Sequence, residues 1–125
     1  MRKKRRANPF AALLASVKTR AKRKGLDFDI DEDYLRSLDR DVCPYLEIPI
    51  YWKNGYGNGV QSSDSKSLDR IDSQRGYVKG NLIICSMRAN QILSNATAEE
   101  MEIITRNFKR IINSTQPNAT TEATD

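Results

Sequence analysis

Two carboxylates three positions apart, Asp69 and Asp72, are followed along the chain by the carboxamide of Asn90. Carboxylate and amide oxygens are the hard donors that suit Mg²⁺, an ion that keeps several waters and takes only one or two protein carboxylates. A carboxylate on a strand and an amide on the next helix can meet on such a cation. What the chain lacks narrows the chemistry. It has no histidine, which removes Ser-His-Asp catalysis, Cys-His catalysis and every His-ligated metal site. Its two cysteines, Cys43 and Cys85, belong to no CxxC pair, so a four-cysteine zinc site is impossible and a disulfide framework is not expected. Cys85, on an apolar run, reads as a small core residue.

These side chains need elements to hold them. Residues 67–72 read as a short strand, 73–80 as a loop with Gly76 and Gly80 serving the backbone, and 81–85 as a second, buried strand. Ser86 can cap a short helix over 87–93 that carries Asn90. Strand, loop, strand and helix make a ββα unit. Upstream, Asn8-Pro9 looks like a cap and first turn, and Phe10, Leu13, Leu14, Val17 and Ala21 form one helical face that Gly25 ends. A brief helix is expected from Asp31 through Leu38, its acids first. Residues 43–52 are β-branched and aromatic with two prolines, which predicts an edge strand leading into a hairpin tip over 53–59. Tyr51, Trp52 and Tyr56 are read as core and hairpin packing. Thr97-Ala98-Glu99-Glu100 is a capping box that opens a helix with an apolar stripe of Met101, Ile104, Phe108, Ile111 and Ile112.

Charge is distributed unevenly. Residues 1–24 hold ten Lys or Arg and no acid, whereas the rest holds the other eleven of 21 basic side chains and all 16 acidic ones. A basic arm beside a carboxylate-bearing body suits attraction of phosphates by the arm and of a cation by the body. The chain has no apolar run of the length that spans a bilayer, and the basic N-terminus leads into an amphipathic helix pattern with no small-residue cleavage site. Membrane association and secretion are therefore not expected.

The run SLDRID…GYVKGNLIICSMRAN resembles the HNH motif of the ββα-metal endonuclease superfamily, and is most similar to small phage proteins related to recombination endonuclease VII. The resemblance covers roughly residues 20–110 and is strongest over 67–94. It implies that Asp69 and Asn90 are metal ligands and that Asn81 braces the loop and orients the base. It sets Arg70 where a catalytic His is expected. Endonuclease VII relatives hold this core with two zinc-binding CxxC pairs, but here Cys43 is followed by Pro44-Tyr45-Leu46, and Ser86 and Ala89 fill the partner region. No zinc is expected, and Leu46, Ile48, Ile83 and Met87 should pack in its place. Arg70 keeps its proton at any biological pH, so its expected role is to clamp the scissile phosphate bidentately. Asp72 is then the first candidate base, with substrate phosphate or bulk hydroxide as fallback.

The expected fold is α+β, a ββα-metal core with flanking N- and C-terminal helices and a short β-hairpin. A basic arm over 1–8 precedes a single domain over 9–112 with its core at 67–94, the C-terminal helix lying across it, and a disordered tail over 113–125. The expected activity is endonucleolytic hydrolysis of DNA with Mg²⁺ or Mn²⁺ in the cytoplasm of an infected bacterium. The resemblance points to nicked or branched substrates and to a homodimer, and RNA stays open as a substrate. Catalytic roles fall to Asp69, Arg70, Asp72 and Asn81, and metal binding to Asp69 and Asn90. Nucleic-acid contacts fall to Arg2, Lys3, Lys4, Arg5, Arg6, Lys18, Arg20, Lys22, Arg23, Lys24, Arg75, Lys79 and Arg88. The alternative is a weak or inactive HNH scaffold that binds nucleic acid or a protein partner.

Overall fold

The computed structural model describes residues 8–53 and 62–115. The arm residues Arg2 to Arg6, the hairpin tip with Tyr56, and the tail from residue 116 lie outside the described residues. The fold is mixed α+β. Its elements are α1 (Pro9–Lys24), α2 (Glu32–Leu38), β1 (Lys66–Arg70), β2 (Leu82–Ser86), α3 (Met87–Leu93) and α4 (Ala98–Thr115). The chain divides into two compact units, one ending at Ile92 and one beginning at Leu93, where a single domain was expected through 112. Among the described residues no helix is long and apolar enough to cross a membrane.

Local chemistry sets the helix ends. Asn8 Oδ1 accepts the Phe10 and Ala11 N–H groups at the start of α1, and Pro9 occupies the first turn where its missing donor costs nothing. Gly25, at φ 69°, ends α1 in the left-handed region, and Leu26 N–H reaches back to the Ala21 carbonyl. Asp31 caps α2 through the Tyr34 N–H. The buried stripe of α1, Leu13, Val17 and Ala21, and the buried Leu35 of α2 bring the two helices together. Fully burying a residue of Leu35's size stabilises the fold by roughly 1.5–3 kcal/mol. Asn8 Nδ2 also donates to Glu32 Oε2, tying the start of α1 to α2.

β1 and β2 form a two-stranded antiparallel sheet in which Lys66 faces Ser86, Leu68 faces Ile84 and Asp69 faces Ile83. Side chains alternate across a strand, so the register divides the sheet. Lys66, Leu68, Arg70, Leu82 and Ile84 share one face; Ser67, Asp69, Ile83 and Cys85 share the other. The first face joins the core, where Leu68, Leu82 and Ile84 are buried with Leu13, Val17, Leu35 and Tyr77.

The edge strand expected over 43–52 is not formed. Residues 44–46 make a turn instead, leaving only isolated bridges between Val42 and Pro49 and between Tyr51 and Ser65. Pro44 and Pro49 have no N–H to give a ladder, and the Leu46 N–H goes to Cys43 Sγ at 3.4 Å. Cys43 is fully buried and takes a second N–H from Ser86 at 3.3 Å. Leu46 stays 39% exposed, so the four apolar residues expected to replace the zinc ribbon do not make one buried patch. The buried thiols of Cys43 and Cys85, with Ala89, fill that part of the core.

The second unit contains α4. Its capping box is formed in both directions, Thr97 N–H to Glu100 Oε1 at 2.8 Å and Glu100 N–H to Thr97 Oγ1 at 3.0 Å. The helix continues to Thr115, beyond the point where the tail was expected to begin.

Candidate functional site

Asp69 leaves β1 on the face that it shares with Ser67 and the buried Cys85, and is half-buried. Burial pushes its carboxyl above the ordinary carboxylate range, with the Arg70 N–H and the Arg70 charge acting against the shift. Asn90 is carried by α3, which starts where Met87 N–H meets the Ser65 carbonyl and Ser86 Oγ accepts the Ala89 N–H. Its Nδ2 donates to Ser67 Oγ at 3.2 Å. Ser67 is the same-face neighbour of Asp69, two residues back along β1, or roughly 6.6 Å. The structure thus sets the Asn90 carboxamide on the sheet face that carries Asp69.

The donor set fits a hard divalent cation. Asp69 offers a carboxylate that burial disfavours as an anion and that a cation would stabilise. The Asn90 amide is oriented through its nitrogen, and among the described residues its oxygen accepts no hydrogen bond. No group of three or more His, Cys, Asp or Glu that could hold a metal occurs among the described residues. A two-ligand site completed by water is the kind Mg²⁺ accepts.

The loop between the strands is built around Asn81, which is 1% exposed. Its Oδ1 accepts the Asp72 N–H at 2.9 Å, and its Nδ2 donates to the Asp72 and Gly76 carbonyls at 3.1 and 2.9 Å. Buried amide groups need such partners, and here one side chain closes the loop on itself. Gly76 adds a backbone contact: a Cβ there would lie 2.4 Å from the Asp27 carbonyl oxygen and 2.7 Å from its nitrogen. That close approach lets Tyr77 bridge to Phe28, with Tyr77 N–H on the Asp27 carbonyl at 2.9 Å.

Arg70 leaves the strand on the other face. Its Nη1 donates to the Ser73 carbonyl at 2.7 Å and the Arg75 carbonyl at 3.0 Å, and its guanidinium lies 5.2 Å from the Tyr77 ring centroid. The arrangement differs from the expected bidentate phosphate clamp, because part of the fork already holds the loop. Asp72 is exposed, and its Oδ1 accepts the Gln74 N–H at 2.9 Å. One oxygen of its carboxylate therefore caps its own loop.

Two of the expected basic groups come together. Arg75 and Lys79 line a polar cleft of about 520 Å³ with Asp27, Asp29 and Gln74, and Gly25 at its edge directly follows Lys22, Arg23 and Lys24 on α1. Arg20 donates to the Tyr77 hydroxyl at 3.3 Å, the same ring that Arg70 overlies. Lys18 and Arg88 are exposed, Arg88 on the first turn of α3. Arg2, Lys3, Lys4, Arg5 and Arg6 are outside the described residues.

Three residues join the site that sequence reasoning did not single out. Ser67 orients Asn90. Tyr77 sits beneath Arg70 and Arg20. Tyr45, in the turn after Cys43, is the third: its hydroxyl is pushed above its ordinary value by burial first, then by the charges of Cys85, Asp69 and Cys43. Cys85, beside Asp69, is pushed up to about 12, chiefly by burial. Burial also acts to raise Cys43, but hydrogen bonds from the Ser86 side chain and from backbone N–H groups outweigh it and hold the thiol below its ordinary value. No local pattern marks Tyr45 or Ser67, since both acquire their positions through tertiary packing.

No family model matches the chain, and no solved structure matches it. A curated relative from Enterobacteria phage T4, described as an uncharacterized 29.0 kDa protein in the dda-modA intergenic region, is 34% identical over 89 residues. The match covers 70% of this chain and 33% of the relative, so the chain spans about a third of the length of the protein it matches.

Proposed function

We propose that the chain is an HNH-type, divalent-metal-dependent endonuclease that hydrolyses phosphodiester bonds in DNA, with residues 67–94 as its ββα-metal core. The observation that carries this reading is the setting of Asn90 through Ser67 on the sheet face of Asp69. A desolvated carboxylate and an oriented amide oxygen are the two protein ligands such a site needs. Bound Mg²⁺ or Mn²⁺ supplies Lewis-acid stabilisation of the charge that develops on the leaving 3′ oxygen. Asn81 closes the 72–76 loop through its bonds to the Asp72 and Gly76 backbone. Arg70 fixes the same loop from the opposite face, and its charge adds to a positive potential at the strand end.

In this reaction the water oxygen bonds to phosphorus, the P–O3′ bond breaks, and the water proton needs an acceptor. Asp72 is the first candidate, through the carboxylate oxygen that does not cap Gln74; substrate phosphate and bulk hydroxide are the fallbacks. Lacking an ideally placed base costs about 10²–10⁴ in rate, so the enzyme is expected to be slow. Lys22, Arg23, Lys24, Arg75 and Lys79 supply phosphate contacts. The phage origin of the relative supports a setting in the cytoplasm of an infected bacterium. The test is cleavage of plasmid DNA with Mg²⁺ or Mn²⁺, compared with the same reaction in EDTA and with Asp69→Ala.

One observation favours a second reading. Arg70 Nη1 and one oxygen of Asp72 are engaged in the loop, and no described contact brings the second Asp72 oxygen to Asp69. A scaffold that binds nucleic acid, with or without a cation, needs no general base. Binding that survives Asp69→Ala without any cleavage would favour that reading.

A further inference from the structure

The cleft between the 25–29 segment and residues 74–79 carries a charge pattern that phosphate contact alone does not explain. Its two walls are fixed to each other by the Phe28–Tyr77 bridge, with the Tyr77 N–H on the Asp27 carbonyl at 2.9 Å. The Lys79 N–H on Asp29 Oδ1, also at 2.9 Å, adds a second tie. Asp27, Gln74, Arg75 and Lys79 line its volume of about 520 Å³. Among the described residues, none of these four side chains makes a hydrogen bond or an ion pair. Asp29 uses one carboxylate oxygen and keeps the other. Acids and bases thus face one preformed space without pairing to each other.

A duplex backbone does not match that lining. Its phosphates bring only negative charge, which Arg75 and Lys79 attract and which Asp27 and Asp29 repel. The wholly basic run Lys22-Arg23-Lys24, next to Gly25 at the cleft edge, suits the backbone better. A single nucleotide carries both complements: a phosphate for the cations, and base N–H groups for a carboxylate. Cytosine presents the N4 amino donor where thymine presents the O4 acceptor, so a carboxylate separates the two. A carboxylate recessed in a cleft meets that edge when the base leaves the stack and enters. The volume falls within the range of small-molecule sites, roughly 300–1,000 Å³.

We propose that this cleft receives one extrahelical nucleotide whose base bears an exocyclic amino group. The amino group donates to Asp27 and to the second oxygen of Asp29, and Arg75 and Lys79 hold the adjoining phosphate. The inference rests on the nucleic-acid side of the reading above and needs no cleavage. Neither a nick nor a branch is required, because one looped-out base in a continuous duplex is enough.

Fluorescence anisotropy of the full chain in EDTA tests this with labelled hairpin DNAs. One is fully paired, one has a looped-out cytosine and one a looped-out thymine. The cytosine bulge is expected to bind at least about fivefold more tightly than the thymine bulge. Asp27→Ala should erase that preference without weakening the paired hairpin, since it removes an anion. Asp29→Asn, whose amide oxygen can keep the Lys79 N–H, should reduce the preference as well. Retained binding of the paired hairpin shows that a variant is folded. The same hairpins made of RNA tell which sugar the cleft prefers. Equal affinity for the three DNAs would overturn the proposal and leave the nucleic-acid reading standing. So would a cytosine preference that survives both substitutions. No binding to any hairpin would overturn the two together.

Discussion

Asp69 and Arg70 are adjacent in sequence but act on opposite faces of β1. The Asp69 carboxylate stands on the face that Asn90 reaches, while the Arg70 guanidinium overlies Tyr77 and donates to the carbonyls of Ser73 and Arg75. One residue pair thus sets a half-buried carboxylate on one side of the sheet and a fastened loop on the other. The first expectations concern these two jobs separately.

Asp69→Asn should raise thermal stability at neutral pH. Burial lifts the folded-state pKa of Asp69 above its unfolded value, so the native chain binds this proton more tightly than the unfolded chain. The group's contribution is most favourable at low pH and is lost as pH rises through the raised value. The gain in Tm from the amide should therefore shrink as pH falls into the ordinary carboxylate range. Thermal melts at a series of pH values check this, and an equal gain at every pH would refute it. Added Mg²⁺ should raise the Tm of the wild-type chain and leave that of Asp69→Asn unmoved.

Asn81→Ala should cost about 2–4 kcal/mol. It removes three hydrogen bonds at a residue that is 1% exposed and strands the Asp72 N–H and the Gly76 carbonyl. Urea unfolding measures the loss. A cost below about 0.5 kcal/mol would mean that the loop closes without it.

Gly76→Ala tests the docking of the loop on the 26–29 segment. The new methyl would meet Asp27 backbone atoms at 2.4 and 2.7 Å, and backbone cannot turn aside as a side chain can. A loss of about 1–3 kcal/mol is expected, together with faster hydrogen exchange at the Tyr77 amide, which bonds to Asp27. Unchanged exchange would show that the segments separate at no cost.

Replacing Lys22, Arg23 and Lys24 together by Gln should weaken DNA binding uniformly across sequences. The slope of log K against log salt should fall by up to about 2.7 if all three neutralise phosphates. Fluorescence anisotropy at several salt concentrations reads the slope, and an unchanged slope would remove α1 from the interface.

The helix ends were legible in the sequence because capping is local. Asn8, Gly25, Asp31 and the Thr97–Glu100 pair act within a turn of themselves, and all four form as expected. The order of β1, loop, β2 and α3 was legible for the same reason, from apolar runs bounded by glycines and Ser86. Residues 43–52 were misread because their strand-like composition competes with two prolines and a thiol that captures the Leu46 N–H. That thiol is held in place from a distance by Ser86, which no local pattern reveals. The engagement of Arg70 was hidden too. A long side chain at the end of a strand has both a phosphate and a loop carbonyl within reach, and only the folded loop decides between them. Ser67 and Tyr45 carry no motif, so their places beside Asn90 and Asp69 emerge only from packing.

The central claim, that Asp69 and Asn90 serve one divalent cation for phosphodiester hydrolysis, is tested most directly by cleavage. Plasmid, nicked and branched DNA would be incubated with Mg²⁺ or Mn²⁺ and wild-type chain, Asp69→Ala or Asn90→Ala. The account predicts slow cutting that needs the metal and is lost in both variants. Metal-dependent cutting that persists in both, or binding by all three proteins with no cutting by any, would contradict it.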